Sequence, residues 1–226
     1  MHVFGSRSKN RFLSERQMNY MKRTKKYKRN TCELLEQVTG SIWIAVKFDN
    51  RKSSTAMKPL RFCEAIYKTK QKNIILSRST VRCDGARRCF GWLKNRDGEL
   101  ALKLTEKAGI EPNIASKLLS SVPVLNKQYS AISLSRDDNA DVFITYTSPE
   151  SAMQFVRLWQ KVTGQNLNIE MSGIMSVCGN TVVRSYINQE ISLSLGCPDS
   201  RKYGGIKPDQ LAIGIPNKLA KLLFKE

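Results

Sequence analysis

The side chains in this chain best suited to chemistry are its cysteines, and four of the six fall into a pattern written twice. Cys83-Asp-Gly-Ala-Arg87-Arg88-Cys-Phe-Gly91 and Cys197-Pro-Asp-Ser-Arg201-Lys202-Tyr-Gly-Gly205 both read Cys-x3-Arg-[Arg/Lys]-x2-Gly. Each has a further cysteine about twenty residues upstream, Cys63 and Cys178. A thiolate is both nucleophile and soft metal ligand, and a nearby cation raises its population by lowering the thiol pKa. Four thiolates without histidine are the ligand set of an iron–sulfur cluster or an all-thiolate zinc site, so Cys63, Cys83, Cys178 and Cys197 are candidate metal ligands. The paired cations and the glycines that free the backbone make Arg87, Arg88, Gly91, Arg201, Lys202 and Gly205 candidate contacts for a small anionic ligand. Two plainer readings stay open. The chain has no Cys-x2-Cys pair of the kind that marks most thiolate sites, so the cysteines also read as small buried hydrophobes. The arginines also read as surface ion-pair partners.

Other chemistry is excluded by what the chain lacks. His2, near the N-terminus, is its single histidine, which removes Ser-His-Asp and Cys-His nucleophiles, zincin motifs and His-ligated metals from the body. No Gly-x4-Gly-Lys-[Ser/Thr] loop and no Gly-x-Gly-x2-Gly after a strand occurs, which argues against P-loop and Rossmann nucleotide sites. Whether the protein is an enzyme or a binding module stays open, as does its substrate.

The net charge of +19 is unevenly spread: residues 1–31 hold ten Lys/Arg and one acid, while the rest carries 28 basic and 18 acidic residues. The basic segment 1–31, with little apolar periodicity, reads as a flexible tail able to make weak, salt-sensitive contact with nucleic acid. It reads equally as a solvated tail, or as an upstream start in place of Met18 or Met21. The body lacks the aromatics interleaved with cations that a base-stacking platform needs, so non-specific nucleic-acid binding is the alternative function, carried by the tail. A partner protein is a further open reading, as is a small-molecule-binding domain whose cysteines are structural only. Apolar runs such as Ile42–Val46 and Val142–Tyr146 are strand length, far short of the roughly 20 residues a membrane span requires. With no apolar segment of signal-peptide type, a cytoplasmic location with reduced thiols is expected.

The elements that must position these residues are legible in outline. Strands are predicted at Ile42–Phe48, Ile74–Leu76, Ala131–Leu134, Val142–Tyr146, Leu167–Met171, Ile191–Leu195 and Gln210–Ile215. Helices are predicted from Thr31 to Gly40, around Phe62–Tyr67, at Asp97–Gly109, after Pro112, from Ser148 to Gly164, and after Pro216. The stretch after Cys178 fits no pattern. Residues 32–226 therefore read as a single α+β domain, a mixed sheet with helices. The repeated order of cysteine, strand, cysteine loop and Asp-led strand points to two diverged halves, about 41–164 and 165–226. Packed as pseudo-equivalents, such halves would bring the two cysteine loops face to face.

The segments Phe62-Cys63-Glu64-Ala65, Cys83-x-Gly85-Ala86-Arg87, Ile191-Ser-Leu-Ser-Leu-Gly-Cys197-x-x-Ser-Arg201 and Leu211-Ala-Ile-Gly-Ile-Pro216 occur in an order that resembles an uncharacterised prokaryotic family, domain of unknown function 169. The resemblance runs from about Glu33 to the C-terminus. It implies a soluble α+β domain with recurrent cysteines and no established activity. Asp199 stands where glycine is expected, and Cys89 has only Tyr203 opposite it in the second copy.

Overall fold

Alternating apolar residues in the strands create a sheet with two buried faces. The computed structural model describes residues 29–50 and 58–225; the basic tail up to residue 28 and the polar stretch 51–57 lie outside them. The strands are β1 Trp43–Asp49, β2 Ile74–Ser77, β3 Ala131–Ser135, β4 Val142–Thr147, β5 Met171–Ser172, β6 Ser192–Ser194 and β7 Leu211–Pro216. They lie in the order β2-β3-β1-β4-β7-β6-β5. Every neighbouring pair is antiparallel except β5, which runs parallel to β6 at one edge. The helices are α1 Thr31–Thr39, α2 Phe62–Lys68, α3 Asp84–Cys89, α4 Asp97–Ala108, α5 Pro112–Ser121, α6 Pro149–Thr163, a π-helix Ser176–Arg184, α7 Ser185–Asn188, α8 Pro198–Tyr203 and α9 Asn217–Leu222. This is the α+β class, with a mixed sheet and helices.

Period-two alternation divides the core. From β1, Ile44, Val46 and Phe48 enter the front core, whereas Trp43 and Ala45 enter the back core. The back face is covered by α1, α6 and α9, which supply Leu35, Phe155 and Ala220. There Trp43 packs on Phe155 with ring centroids 5.6 Å apart, and its indole N–H donates to Thr39 Oγ1 at 3.0 Å. The front core joins α2, α3 and the π-helix to β1, β3 and β4. Each fully buried Phe or Ile on either face stabilises the fold by about 1.5–3 kcal/mol through removal from water.

Local signals set most element ends. Ser148 Oγ accepts the Ser151 N–H at 3.3 Å, Pro149 opens α6, and Gly164 closes it in the left-handed region. At α1 the cap is Asn30 rather than Thr31. Asn30 Oδ1 accepts the Glu33 N–H at 2.9 Å and Glu33 returns the bond to the Asn30 N–H at 3.2 Å, a capping box. The strand predicted at Leu167–Met171 is shorter, Met171–Ser172, and pairs with the three-residue β6. The unassigned stretch after Cys178 is the π-helix. It lies so close to the sheet that a Cβ on Gly214 of β7 would fall 1.7 Å from the Thr181 carbonyl oxygen. Only glycine fits that crossing.

The two halves do not repeat in the sheet. β2, which leads to the first cysteine segment, is an edge strand beside β3, whereas β6, which leads to the second, lies between β7 and β5. The likeness is local to the cysteine segments.

Candidate functional site

Both cysteine segments are helical hooks rather than loops. Cys83 and Cys197 are the N-cap residues of α3 and α8, each six residues long. Their carbonyls accept the N–H groups of Arg87 and Arg201, both at 3.0 Å. Just past each helix, Gly91 and Gly205 share a left-handed φ of 71°. At Gly205 the requirement is doubled, since a Cβ there would also sit 2.5 Å from the Tyr67 ring.

A third helix aligns the two hooks. Lys103 and Lys107 stand one turn apart on α4; Lys103 Nζ reaches Asp84 Oδ2 at 2.8 Å, and Lys107 Nζ reaches Asp199 Oδ1 at 3.6 Å. Asp84 follows Cys83 directly and Asp199 lies two residues after Cys197, so the hooks lie side by side. Cys63, on α2, meets the second hook: its Sγ is 4.0 Å from the Asp199 carbonyl oxygen, and a Cβ on Gly204 would lie 3.1 Å from that sulfur. Beneath them the buried Tyr146 hydroxyl donates to the Cys63 carbonyl at 3.2 Å. Cys178 comes from the π-helix, its thiol donating to the Met175 carbonyl at 3.5 Å. Cys63, Cys83, Cys178 and Cys197 thus come from four elements, and Cys63 lies within electrostatic range of the other three.

The thiols influence one another. Burial pushes the Cys63 thiol far up, and negative charge on Cys197, Cys83 or Cys178 would raise it further. Burial likewise pushes Cys83 up to about 12, reinforced by Cys178 and opposed by the Ala86 N–H. Cys178 is raised well above its ordinary value by a hydrogen bond with Cys89 and by burial. Tyr146 is raised by burial and by Cys63, Cys197 and Cys178. At neutral pH, Cys63, Cys83 and Cys178 are therefore protonated. In Cys83, burial and the neighbouring Cys178 prevail, so the cation four residues on does not activate this thiol.

The cations of the hooks are engaged elsewhere. Arg201 spends its guanidinium on backbone carbonyls, donating to Leu195, to Lys207 at 2.9 Å, to Gln210 at 3.1 Å and more weakly to Pro208 at 3.4 Å. Arg88 is buried, bound to Asp97 through two nitrogens at 2.7 and 2.9 Å and to the Val122 carbonyl at 3.2 Å. Both are structural clasps. A groove of about 550 Å³ beside Arg88 and Asp97, lined also by Leu93, Lys94, Asn95, Gly98 and Val124, contains none of the four cysteines. Arg87 pairs loosely with Asp84 at 3.4 Å, and its buried Nε has no hydrogen-bond partner among the described residues. Lys202 is exposed, its ammonium 5.3 Å from the Tyr203 ring centroid.

Acids and cations alternate around the thiols in a fixed ratio. Glu64, beside Cys63, is shared by Lys68 at 2.8 Å and Arg82 at 3.7 Å; Asp84 by Lys103 and Arg87; Asp199 by Lys107 and Arg61, each at 3.6 Å. Burial alone would raise Glu64, but Lys68 and Arg82 hold its carboxyl below the usual range. The Lys103 ammonium does the same for Asp84. Two cations for each acid leave this surface positive.

Sequence patterns missed two features. One is the π-helix, a geometry frequent at functional sites and rare at nine residues. It begins at Met175, a non-glycine residue at φ 45°, whose side chain packs against Gly85 of the first hook. Within it, Ser176 Oγ and Asn180 Oδ1 are buried without hydrogen-bond partners among the described residues. The other is Cys89, fully buried and the foremost influence raising the Cys178 thiol. Its spacing from Ala86 and Phe90 places it on the inner side of the helix, a signal that comparison of the two hooks hides. The sixth cysteine, Cys32, lies apart in the back core. Among the described residues, no three or more His, Cys, Asp or Glu side chains are grouped so as to hold a metal ion. No helix among them is long and apolar enough to cross a membrane.

Residues 19–225 match the model of a family described as uncharacterised ArCR, DUF169. The chain belongs to this family. The match covers the stretch from Glu33 onward on which the resemblance rests and, beyond it, begins within the basic segment, at residue 19. Over 194 residues the chain is 26% identical to the uncharacterized protein MJ0308 of Methanocaldococcus jannaschii, covering 79% of this chain and 83% of that relative. No solved structure matches.

Proposed function

We propose that this DUF169 protein binds a thiophilic ligand, a soft metal or a metal–sulfur cluster, through Cys63, Cys83, Cys178 and Cys197. The electrostatic influence of Cys197, Cys83 and Cys178 on Cys63, each from a separate element, carries the reading. The grouping is not a finished metal site, so ligation requires the side chains to turn toward a common centre and lose their protons. The raised thiol pKa values fit a ligand-free polythiol pocket: stacking negative charge there is costly until a cation neutralises it. The surplus of cations around the thiols favours a product with net negative charge, which a thiolate-bound cluster carries. Arg87, with its unpaired Nε, and Lys202 are the remaining candidate contacts from the hooks to such an anion.

Anaerobic titration of the reduced full chain with Cd2+ or Zn2+, and reconstitution with iron and sulfide, tests this. Stoichiometric binding is expected, with sulfur-to-metal charge-transfer absorption and release of about one proton per ligating thiol. Cys63→Ser and Cys197→Ser should each weaken it. Absence of stoichiometric binding in a folded protein whose thiols are all reduced overturns the reading and leaves the cysteines as core residues.

A further inference from the structure

Cys178 faces two ways. It raises the thiols of Cys63 and Cys83, and its own thiol is raised first of all by Cys89. The approach is close at the backbone level, since a Cβ on Gly179, the residue after Cys178, would lie 3.1 Å from Cys89 Sγ. Both partners sit on anchored elements. The Cys89 carbonyl accepts the Leu125 N–H at 2.9 Å, and the preceding Arg88 is fixed by Asp97 and Val122. The π-helix is held against β7 where Thr181 crosses Gly214, and Ser185 Oγ donates to the Gly214 carbonyl at 3.1 Å. With Cys89 Sγ this close to the backbone beside Cys178, bonding geometry requires the two side chains to turn toward each other rather than the elements to move.

We propose that Cys89 and Cys178 form a reversible intramolecular disulfide, with a peroxide or a low-molecular-weight disulfide as the oxidant. Cys178 is the point of entry, being 8% exposed where Cys89 is fully buried. With hydrogen peroxide, Cys178 sulfur attacks one oxygen, the O–O bond breaks, and a sulfenic acid and one water form. Cys89 sulfur then displaces the hydroxyl, which leaves as a second water with the Cys89 proton as the S–S bond closes. Two thiols lose two electrons and the peroxide gains them. With a small disulfide, Cys178 displaces one thiol and Cys89 the second. Oxidation would withdraw Cys178 from the other three thiols. The disulfide itself does not rest on the ligand reading, and its test uses metal-free protein.

Reduced, metal-free full-length protein is treated with hydrogen peroxide, its remaining thiols are blocked with N-ethylmaleimide, and its peptides are mapped without reduction. A linked peptide pair containing Cys89 and Cys178 is expected, with the other four of the six cysteines alkylated and the bond reversed by dithiothreitol. In Cys89→Ala, dimedone should trap sulfenic acid at Cys178 and no linked pair should form. Alkylation of all six thiols after oxidation, a link that excludes Cys89, or dimedone trapped only on another cysteine overturns the proposal. Because the wild-type map needs no variant, a Cys89→Ala chain that fails to fold leaves the test decisive.

Discussion

Arg201 and Lys202 are adjacent and equivalent in the repeated motif, yet the structure gives them opposite work, and replacing each by methionine separates the two. Arg201 binds four carbonyls of the segment that closes the second hook, two of them at 2.9 and 3.1 Å and one stretched to 3.4 Å. A hydrogen bond from a charged donor contributes about 1.5–3 kcal/mol when shielded, and less where water can replace it, as around this half-buried side chain. Counting two full bonds at a discounted value of about 1 kcal/mol each gives a loss of about 2 kcal/mol for Arg201→Met. For a body of this size that lowers Tm by about 4–8 °C. Lys202, exposed and making only a loose contact with Tyr203, should change stability by less than about 0.5 kcal/mol when replaced. Thermal unfolding followed by circular dichroism, with urea titration as a second measure, reads both. Equal effects of the two substitutions, or an Arg201→Met midpoint within about 1 °C of the parent, would refute the clasp.

Two further outcomes follow from close contacts and from buried thiols. Gly214→Ala should cost more than about 4 kcal/mol, or prevent folding, because its Cβ would lie 1.7 Å from the Thr181 carbonyl oxygen; a urea midpoint near that of the parent would place the π-helix elsewhere. Folding raises the thiol pKa of Cys83 to about 12, and those of Cys63 and Cys178 rise as well, from an unfolded value of about 8.5. Their contribution to stability is therefore complete below about pH 8.5 and is lost as pH climbs through the folded values. The urea midpoint should fall between pH 8 and 10 and fall less steeply in Cys83→Ser. Alkylation of Cys83 in the folded protein at pH 8 as fast as a free cysteine would contradict this.

What could be read in the sequence was what is decided locally. Ser148-Pro149 and Gly164 bracket α6 because capping groups and a left-handed terminal glycine act within one turn of the chain. The hooks were visible because their pattern recurs, and four cysteines, Cys83 and Cys197 in the hooks and Cys63 and Cys178 upstream, could be nominated on spacing alone. Their helical form was not, since six residues are too few to show periodicity. The π-helix has no propensity signature; it is fixed by tertiary contacts, above all the crossing of Thr181 over Gly214. Arg88 and Arg201 looked like ligand contacts because their distant partners, Asp97, Val122 and the 195–210 carbonyls, carry no spacing rule. Cys89 escaped notice because Tyr203 stands opposite it.

The division of the sheet into two faces has a practical consequence for handling the molecule. Helices α1 and α9, the first and last helices among the described residues, contact one another on the back face, whereas Cys63, Cys83, Cys89 and Cys178 belong to the front core. Tethering through either of these helices therefore leaves the face that carries these thiols turned away from the support. Cys32 is the single thiol on the tethered side. A Cys32→Ser background would turn any sulfur-specific signal, from mass tagging to X-ray absorption, into a report on the front face alone.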